Sequence, residues 1–582
     1  MSQTLGWVDY LVWILLLVIS LGIGIYFGFF ESKIKRRKQA TEGETDEFLL
    51  GGRKMGAIPV ACSLMASFFS AITLLGTPNE IYQYGVMYWF IGIGYVTTII
   101  ISALLFVPIF YNLGITSSYQ YLGLRFSRTN QVLGAVGFIL QMTPYMGIVL
   151  YGPAMALKVV VNVNIWIVVI SMAVVCTIYT TVGGLKAVVW TDVFQLVMMF
   201  SGMLAIIIKG TVDSGGLNSI MKTASSHERL NLNFSPNPQI RHSFWSLVIG
   251  GTFLWCGIYA INQTMIQRAI SIKSLKQAKL SYFLNLPGMN MLLMVVILCG
   301  FVIFNIFYGC DPLLSGKIKK SDELVPYYVS KYLLQYPGVG GIFVAGIFSG
   351  GLSTMSSGLN SLAAVTLNDI IMLKYTKITD KTASRVSKVL VVVYGVLTLL
   401  FAYISSLTSK ILEAALGLFG MLSGPALGVF TLGIFFPFSN FKGAISGHLI
   451  SQIMIFWIGF GMYIHEVKHP KLTLSDFNCT GMGNVTKPTE TVITSNGAPL
   501  LGIQHLYAIS YMWYSFIGWA IVLIVGIPIS LITNSKQEDK VRSKFISPIC
   551  KRIWSGYIIE DKPSNLTENP LKLEDEIEIS SL

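Results

Sequence analysis

The chain has 582 residues, of which 53% are hydrophobic and only 12% charged. A soluble domain carries about twice that charged fraction, and no polar stretch is long enough for an enzyme domain, so a soluble enzyme is excluded and a partner in the lipid bilayer is expected. The formal net charge of +13 is mostly an excess on loops expected to face the cytoplasm, which reads as a topology signal and not as nucleic-acid binding.

Thirteen segments of about 20 apolar residues, each long enough to cross a bilayer core, follow one another at 7–30, 56–84, 86–110, 131–158, 163–183, 187–208, 243–266, 280–308, 337–372, 387–408, 411–437, 442–464 and 507–533. Asp9 precedes the first run and no basic stretch does, so that segment reads as a retained span and not as a cleaved signal. Lys33, Lys35, Arg36, Arg37 and Lys38 follow at once, and Arg53 and Lys54 precede the second segment. The positive-inside rule then puts this loop in the cytoplasm, the N-terminus outside and, after thirteen crossings, the C-terminus inside. Lys317, Lys319 and Lys320 run against that rule in an outer loop. Three sequons, Asn233, Asn478 and Asn484, fall in outer loops where glycosylation is expected, while Asn565 falls in the cytoplasmic tail. Cys310 and Cys479 also fall in outer loops and are candidates for a disulfide. The other five cysteines read as small buried hydrophobes.

Chemistry-bearing residues appear in four of the segments. The first is 65–78, which combines Ser67, Ser70 and Thr73 with Gly76 and Pro78, and no charge occurs between Lys54 and Glu80. Next comes Asp192, the acid placed furthest inside a predicted span; an intramembrane acid is expensive and points to function. The third is 243–264, with Gly250, Gly251, Trp255, Gly257, Asn262 and Gln263. In both the first and the third, a helix interrupted near glycine and small polar residues would free carbonyls for a cation and amides for an anion, although such residues also serve close helix packing. The fourth, Gly346–Asp369, holds five serines and two threonines, and Ser349, Ser353, Ser356, Ser357, Asn360 and Ser361 fall on one helical stripe. Hard oxygen ligands of this kind suit a small alkali cation. No Lys or Arg lies deep in any predicted span, so an anionic substrate would need a co-bound cation, helix N-termini or backbone amides to offset its charge.

His465-Glu466-Val467-Lys468-His469 spells a zinc-protease signature, but Pro470 disfavours the continuous helix that would put both histidines on one face, so no zinc site is expected. The C-terminal Ser580-Ser581-Leu582 is a weak candidate for a PDZ groove.

The tract around Ser353–Asn360, the segment ASFFSAITLLGTPNEIYQYG and the motif GGLKAVVWTDVFQ together resemble the sodium:solute symporter family, which includes the sodium/glucose cotransporters, over about residues 5–535. FILQMTPYMGIVLYGPAMAL, YQYGVMYWF and ISYMWYS are similar to the multivitamin branch, and SAITLLGTP to the monocarboxylate transporters; Thr73 and Tyr95 depart from the iodide branch.

The resemblance implies an all-α, leucine-transporter-type fold at the plasma membrane. Residues 1–55 would hold the N-terminus, an extra helix and a basic loop. Two inverted repeats of five helices would fill 56–437, two further helices 438–533, and a cytoplasmic tail 534–582. It implies a main sodium site at the carbonyls of Ala66, Phe69 and Gly350 and the hydroxyls of Ser353 and Thr354. A second sodium site would fall near Ser70, Thr73, Tyr145 and Ser423, and substrate beside Phe68, Thr73, Tyr95, Trp255 and Phe419. Asp192 and Gln195 match a motif near the sodium path, and Ser349, Ser356, Ser357 and Ser361 are left as packing or cavity lining. The implied activity is sodium-coupled import of a small organic monocarboxylate, with sodium as coupling ion and no other cofactor. Iodide-type and sugar-type symport and a sodium-permeable channel are the alternatives.

Overall fold

A computed structural model of the chain describes residues 5–31, 43–161, 163–407, 411–475, 477, 492–493, 500–533 and 540–559, with Glu31, Phe68 and Ile411 described by their backbones alone. In a bilayer every backbone amide and carbonyl must pair within its own segment, so the long apolar runs become helices. In chain order these are α1 (Trp7–Phe30), the bent pair α2 (Ala57–Phe68) and α3 (Ala71–Tyr84), α4 (Val86–Leu113), α5 (Arg128–Val161), α6 (Ile165–Asp213), the shorter pair α7 (Ser246–Tyr259) and α8 (Gln263–Ile270), α9 (Leu275–Phe307), α10 (Val339–Lys374), α11 (Asp380–Ser406), α12 (Ile411–Phe435), α13 (Phe441–Ile464) and α14 (Tyr511–Thr533). Ten are each long and apolar enough to cross, and the α2/α3 pair makes an eleventh. The thirteen crossings expected from the sequence count α6 twice and include the α7/α8 pair.

α6 is 49 residues long. Unbroken, it would measure about 74 Å, more than twice the bilayer core. Gly184 breaks it, with φ 58 and ψ −158, in a crowded spot where an added Cβ would lie 2.6 Å from the Phe48 carbonyl oxygen. Each interrupted span thus opens a run of five segments: α2/α3, α4, α5 and the two legs of α6, then α7/α8, α9, α10, α11 and α12. This is the leucine-transporter-type arrangement. A two-residue parallel pairing, Val541–Arg542 with Ile558–Ile559, is the sheet found among the described residues.

α10 runs through the middle, packed on α6, α5, α1 and both arms of the α2/α3 pair. Its small residues let five neighbours approach closely. Its serines keep their hydroxyls satisfied inside the bundle: Ser349 Oγ donates to the Ala345 carbonyl at 2.7 Å and Ser356 Oγ to that of Ser353 at 3.1 Å.

The zinc-like motif lies where α13 ends. His465 is its C-cap, Glu466 turns away with φ 44, and His465 stacks on Tyr507, so the two histidines do not share a helix face. Cys310 is disulfide-bonded; Cys479 lies outside the described residues. Asn233 sits in the loop before α7, its side-chain oxygen accepting from the Ser235 amide at 2.9 Å. Asn478, Asn484, Asn565 and Ser580–Leu582 lie outside the described residues.

Candidate functional site

The break between α2 and α3 is built from Phe68-Phe69-Ser70. Phe69 leaves the helix with φ −84 and ψ 77, and Ser70 is extended as the N-cap of α3. The two arms meet at 56°. Carbonyls at the end of α2 lose their intrahelical donors there, and α10 supplies hydroxyls instead. Ser353 Oγ donates to the Ala66 carbonyl at 2.9 Å, and Thr354 Oγ1 to that of Ser67 at 3.3 Å. Both hydroxyls also reach the Gly350 carbonyl, at 3.3 and 3.1 Å. Gly350 makes this approach feasible, because a Cβ there would lie 2.8 Å from the Ala71 amide nitrogen. Uncharged oxygens of Ala66, Ser67, Gly350, Ser353 and Thr354 therefore converge in a buried place. Phe69, also fully buried, sits at the break itself. The Ser67 carbonyl was not foreseen from the sequence.

A buried charged network lies one turn further along α10. Asp192 Oδ2, on α6, accepts from Ser63 Oγ at 2.6 Å and from Arg268 Nη2 at 3.1 Å. Arg268, on α8, also donates to Ser63 Oγ at 2.7 Å, to Ser67 Oγ at 2.6 Å, to Ser357 Oγ, and to the Thr264 carbonyl at 2.9 Å. This corrects the expectation that no Lys or Arg lies deep in the core, for Arg268 is 1% exposed. The predicted span stopped at 266, whereas α8 continues to Ile270. The signal was the apolar pairs Met265-Ile266 and Ala269-Ile270 on either side of the arginine. Gln195 is not part of this network. Its Nε2 faces Ser20 of α1 at 3.4 Å.

Three expected substrate residues, Tyr95, Trp255 and Phe419, enter aromatic pairs, the last with Tyr145, which the resemblance put at the second sodium site. Tyr95 of α4 meets Trp255 of α7 edge-on at 5.3 Å, and Tyr145 of α5 meets Phe419 of α12 edge-on at 4.6 Å. Ser70 lies beside the Tyr145 hydroxyl, and Thr73 is half-buried in the first turn of α3. Ser423 lies one turn beyond Phe419 on α12. It packs on Gly257 and lies 3.4 Å from Ser515 Oγ.

A second charged cluster was missed entirely. Arg241, in the segment before α7, donates through Nη2 and Nε to the two carboxylate oxygens of Glu80 on α3, at 2.7 and 3.1 Å. Its Nη1 is 3.0 Å from Glu413 Oε2 on α12. Burial disfavours the Arg241 charge, but Glu413 and Glu80 outweigh it and hold the guanidinium above its usual range. Burial, followed by Arg241 and His469, keeps the neighbouring His242 well below the ordinary histidine range, so its ring is neutral. Residues 80, 241 and 413 each sit at the end of a predicted segment, where a charge reads as solvated.

Residues 48–451 match the sequence profile of the sodium:solute symporter family. The chain belongs to that family. Among its relatives, sodium-coupled monocarboxylate transporter 1 of Homo sapiens is 42% identical over 91% of this chain and 88% of its own length. The sodium-dependent multivitamin transporter of Oryctolagus cuniculus is 41% identical over 95% of this chain and 86% of its own. Among solved structures, a Na+-coupled sialic acid symporter in a substrate-bound, outward-open state aligns with a TM-score of 0.72 and 23% identity, over 91% of this chain and 98% of that one. That likeness concerns the fold. In this member of the sodium:solute symporter family, Gly350→Ala is expected to push α10 away from the break at an overpacking cost of about 1–3 kcal/mol. The half-saturating sodium concentration should rise about tenfold while the protein still reaches the membrane, as a sodium activation curve with surface labelling would record.

Proposed function

We propose that this protein is a sodium-coupled symporter that carries small organic monocarboxylates across the membrane by alternating access. The observation that carries the reading is the meeting of the Ser353 and Thr354 hydroxyls with the Ala66 and Ser67 carbonyls at the break in the α2/α3 span. A sodium ion held there by those hydroxyls and by the carbonyls of Ala66, Phe69 and Gly350 ties α10 to both arms of the broken helix. Binding outside and release inside then bias the two orientations of the core in opposite directions. Asp192 lies one turn from this site, on the proposed sodium path. Ser70, Thr73, Tyr145 and Ser423 are the proposed surroundings of a second ion.

The substrate lies beside the Tyr95–Trp255 and Tyr145–Phe419 pairs, and Thr73 and Phe68 are proposed to contribute to its site. Relatives named for monocarboxylates and for vitamins support an organic acid. Arg268 is committed to Asp192, so the carboxylate's charge is offset by sodium and by the N-terminal end of α3. The N-cap of that helix, Ser70, makes no side-chain cap bond. With two sodium ions per monocarboxylate, a tenfold sodium gradient and a potential of about −60 mV supply ~4 kcal/mol, enough for about a thousandfold accumulation. The basic stretch 33–38 supports a cytoplasmic first loop and an N-terminus on the opposite face, and the plasma membrane is the proposed location.

The test is uptake of labelled lactate, butyrate, biotin and pantothenate into proteoliposomes, with and without an inward sodium gradient, while current is recorded. Saturable, sodium-dependent uptake with inward positive current is expected. Uptake at equal rate without sodium would sink the reading, and current that never saturates with substrate would make the protein a channel. Biotin uptake without competition from lactate would select the vitamin class.

A further inference from the structure

We propose that a small polar chamber between α5, the α7/α8 break, α12 and α13 is a transit site for the substrate's carboxylate, one helical turn beyond the aromatic pairs. The inference rests on the monocarboxylate reading above. The polar walls of the chamber are Gln141, Asn262, Ser423 and His448. Gln141 precedes Tyr145 by one turn on α5, and Ser423 follows Phe419 by one turn on α12. With α5 and α12 antiparallel, both residues lie on the same side of the Tyr145–Phe419 pair. Gln141 Nε2 donates to the Phe419 carbonyl at 3.4 Å, and Asn262 Nδ2 to Gln141 Oε1 at 3.3 Å. Asn262 follows Trp255 across the α7/α8 break and so joins the same layer. In the expected topology this layer is on the cytoplasmic side of the substrate.

Three observations point to a ligand. The chamber is closed down to about 10 Å³, room for about one water molecule, so a larger occupant enters only when the helices part. The bonds its walls make are long: 3.3 and 3.4 Å at the amides and 3.4 Å between Ser423 and Ser515, against about 2.9–3.0 Å for a well-formed N–H···O bond. His448, 4% exposed, has a buried Nδ1 without a hydrogen-bond partner. A polar group left unpaired inside a lipid-embedded bundle is costly and calls for an occupant.

The chemistry of the walls selects the ligand class. Two amide groups, a hydroxyl and an imidazole offer donors to carboxylate oxygens, and no acidic side chain lines the chamber. Tyr119, Phe138, Ile261 and Leu422 line the remainder, which suits the hydrocarbon part of a small organic acid. Leaving the aromatic layer, the carboxylate would exchange sodium and the α3 terminus for this second set of donors before reaching the cytoplasm.

The experiment separates the two faces of the membrane. The full chain is reconstituted, and half-saturating concentrations are measured for influx from the outer face and for efflux from the inner face. The probe is labelled lactate or biotin, whichever the unmutated protein carries. His448→Leu and Gln141→Met are each expected to raise the inner value about threefold or more and to leave the outer value within about twofold, with His448→Gln restoring the inner value. A merely structural role would move both values together. Parallel shifts, or two unchanged values, would overturn the proposal and leave a buried-water site. Should the leucine variant fail to fold, Gln141→Met decides on the same two values. Absence of any sodium-driven uptake by the unmutated protein would instead refute the monocarboxylate reading, and the transit site with it.

Discussion

Replacing Ser353 and Thr354 together by alanine is expected to abolish sodium activation of transport over the physiological range. Each hydroxyl reaches a carbonyl of the broken helix and that of Gly350, so each is placed to turn its lone pairs to a shared cation. An interaction with a charged group is worth about 1.5–3 kcal/mol. Losing two should therefore cost ~3 kcal/mol or more, at least a hundredfold in sodium affinity. The single variants should shift the activation curve by about tenfold each, with little change in the amount of folded protein, because alanine suits a helix interior. Substrate-evoked current against sodium concentration is the measurement. A double variant with the unmutated curve would remove sodium from this site altogether.

The second large effect is expected at Arg268. Arg268→Met leaves Asp192 as a buried carboxylate with neutral serine donors in place of a charged partner, a loss of about 3–5 kcal/mol when one partner of a buried pair is removed. The chain should then yield little folded protein and no uptake. Combining it with Asp192→Asn removes the stranded charge, so the double variant should be more stable than Arg268→Met alone. Thermal unfolding of the four proteins in one detergent gives the coupling between the two residues. Additive effects would show that Arg268 and Asp192 are not held together in the folded protein.

These two sites differ in how much of them could be read in the sequence. Ser353 and Thr354 stand in a hydroxyl-rich tract without an internal charge. Period and composition marked the stripe, and resemblance to the family narrowed it to these two residues. Arg268 was overlooked because it stands two residues past the predicted end of an apolar segment, where a cation ordinarily meets headgroups or water. Ser357 looked like a packing residue and Ser63 drew no reading at all, and the guanidinium they share makes them polar partners. Glu80, Arg241 and Glu413 are more extreme, since three segment ends give no hint of one buried cluster.

The amino-acid sequence by itself determined that the chain is a bundle of membrane helices. Apolar length and the need to pair every backbone group within a segment are local properties. It also marked 65–78 as a candidate interruption of the first core helix, and the structure put the break at Phe69-Ser70, with Gly76 and Pro78 inside the helix that follows. What only the tertiary structure decided is partnership: that the Ser67 carbonyl joins the oxygen set, that Gln195 turns to α1, that Ser423 and His448 line one chamber, and that Arg268 answers Asp192. A buried charge or hydroxyl acquires its role from the group that faces it, and in this fold that group stands on another helix, up to hundreds of residues away.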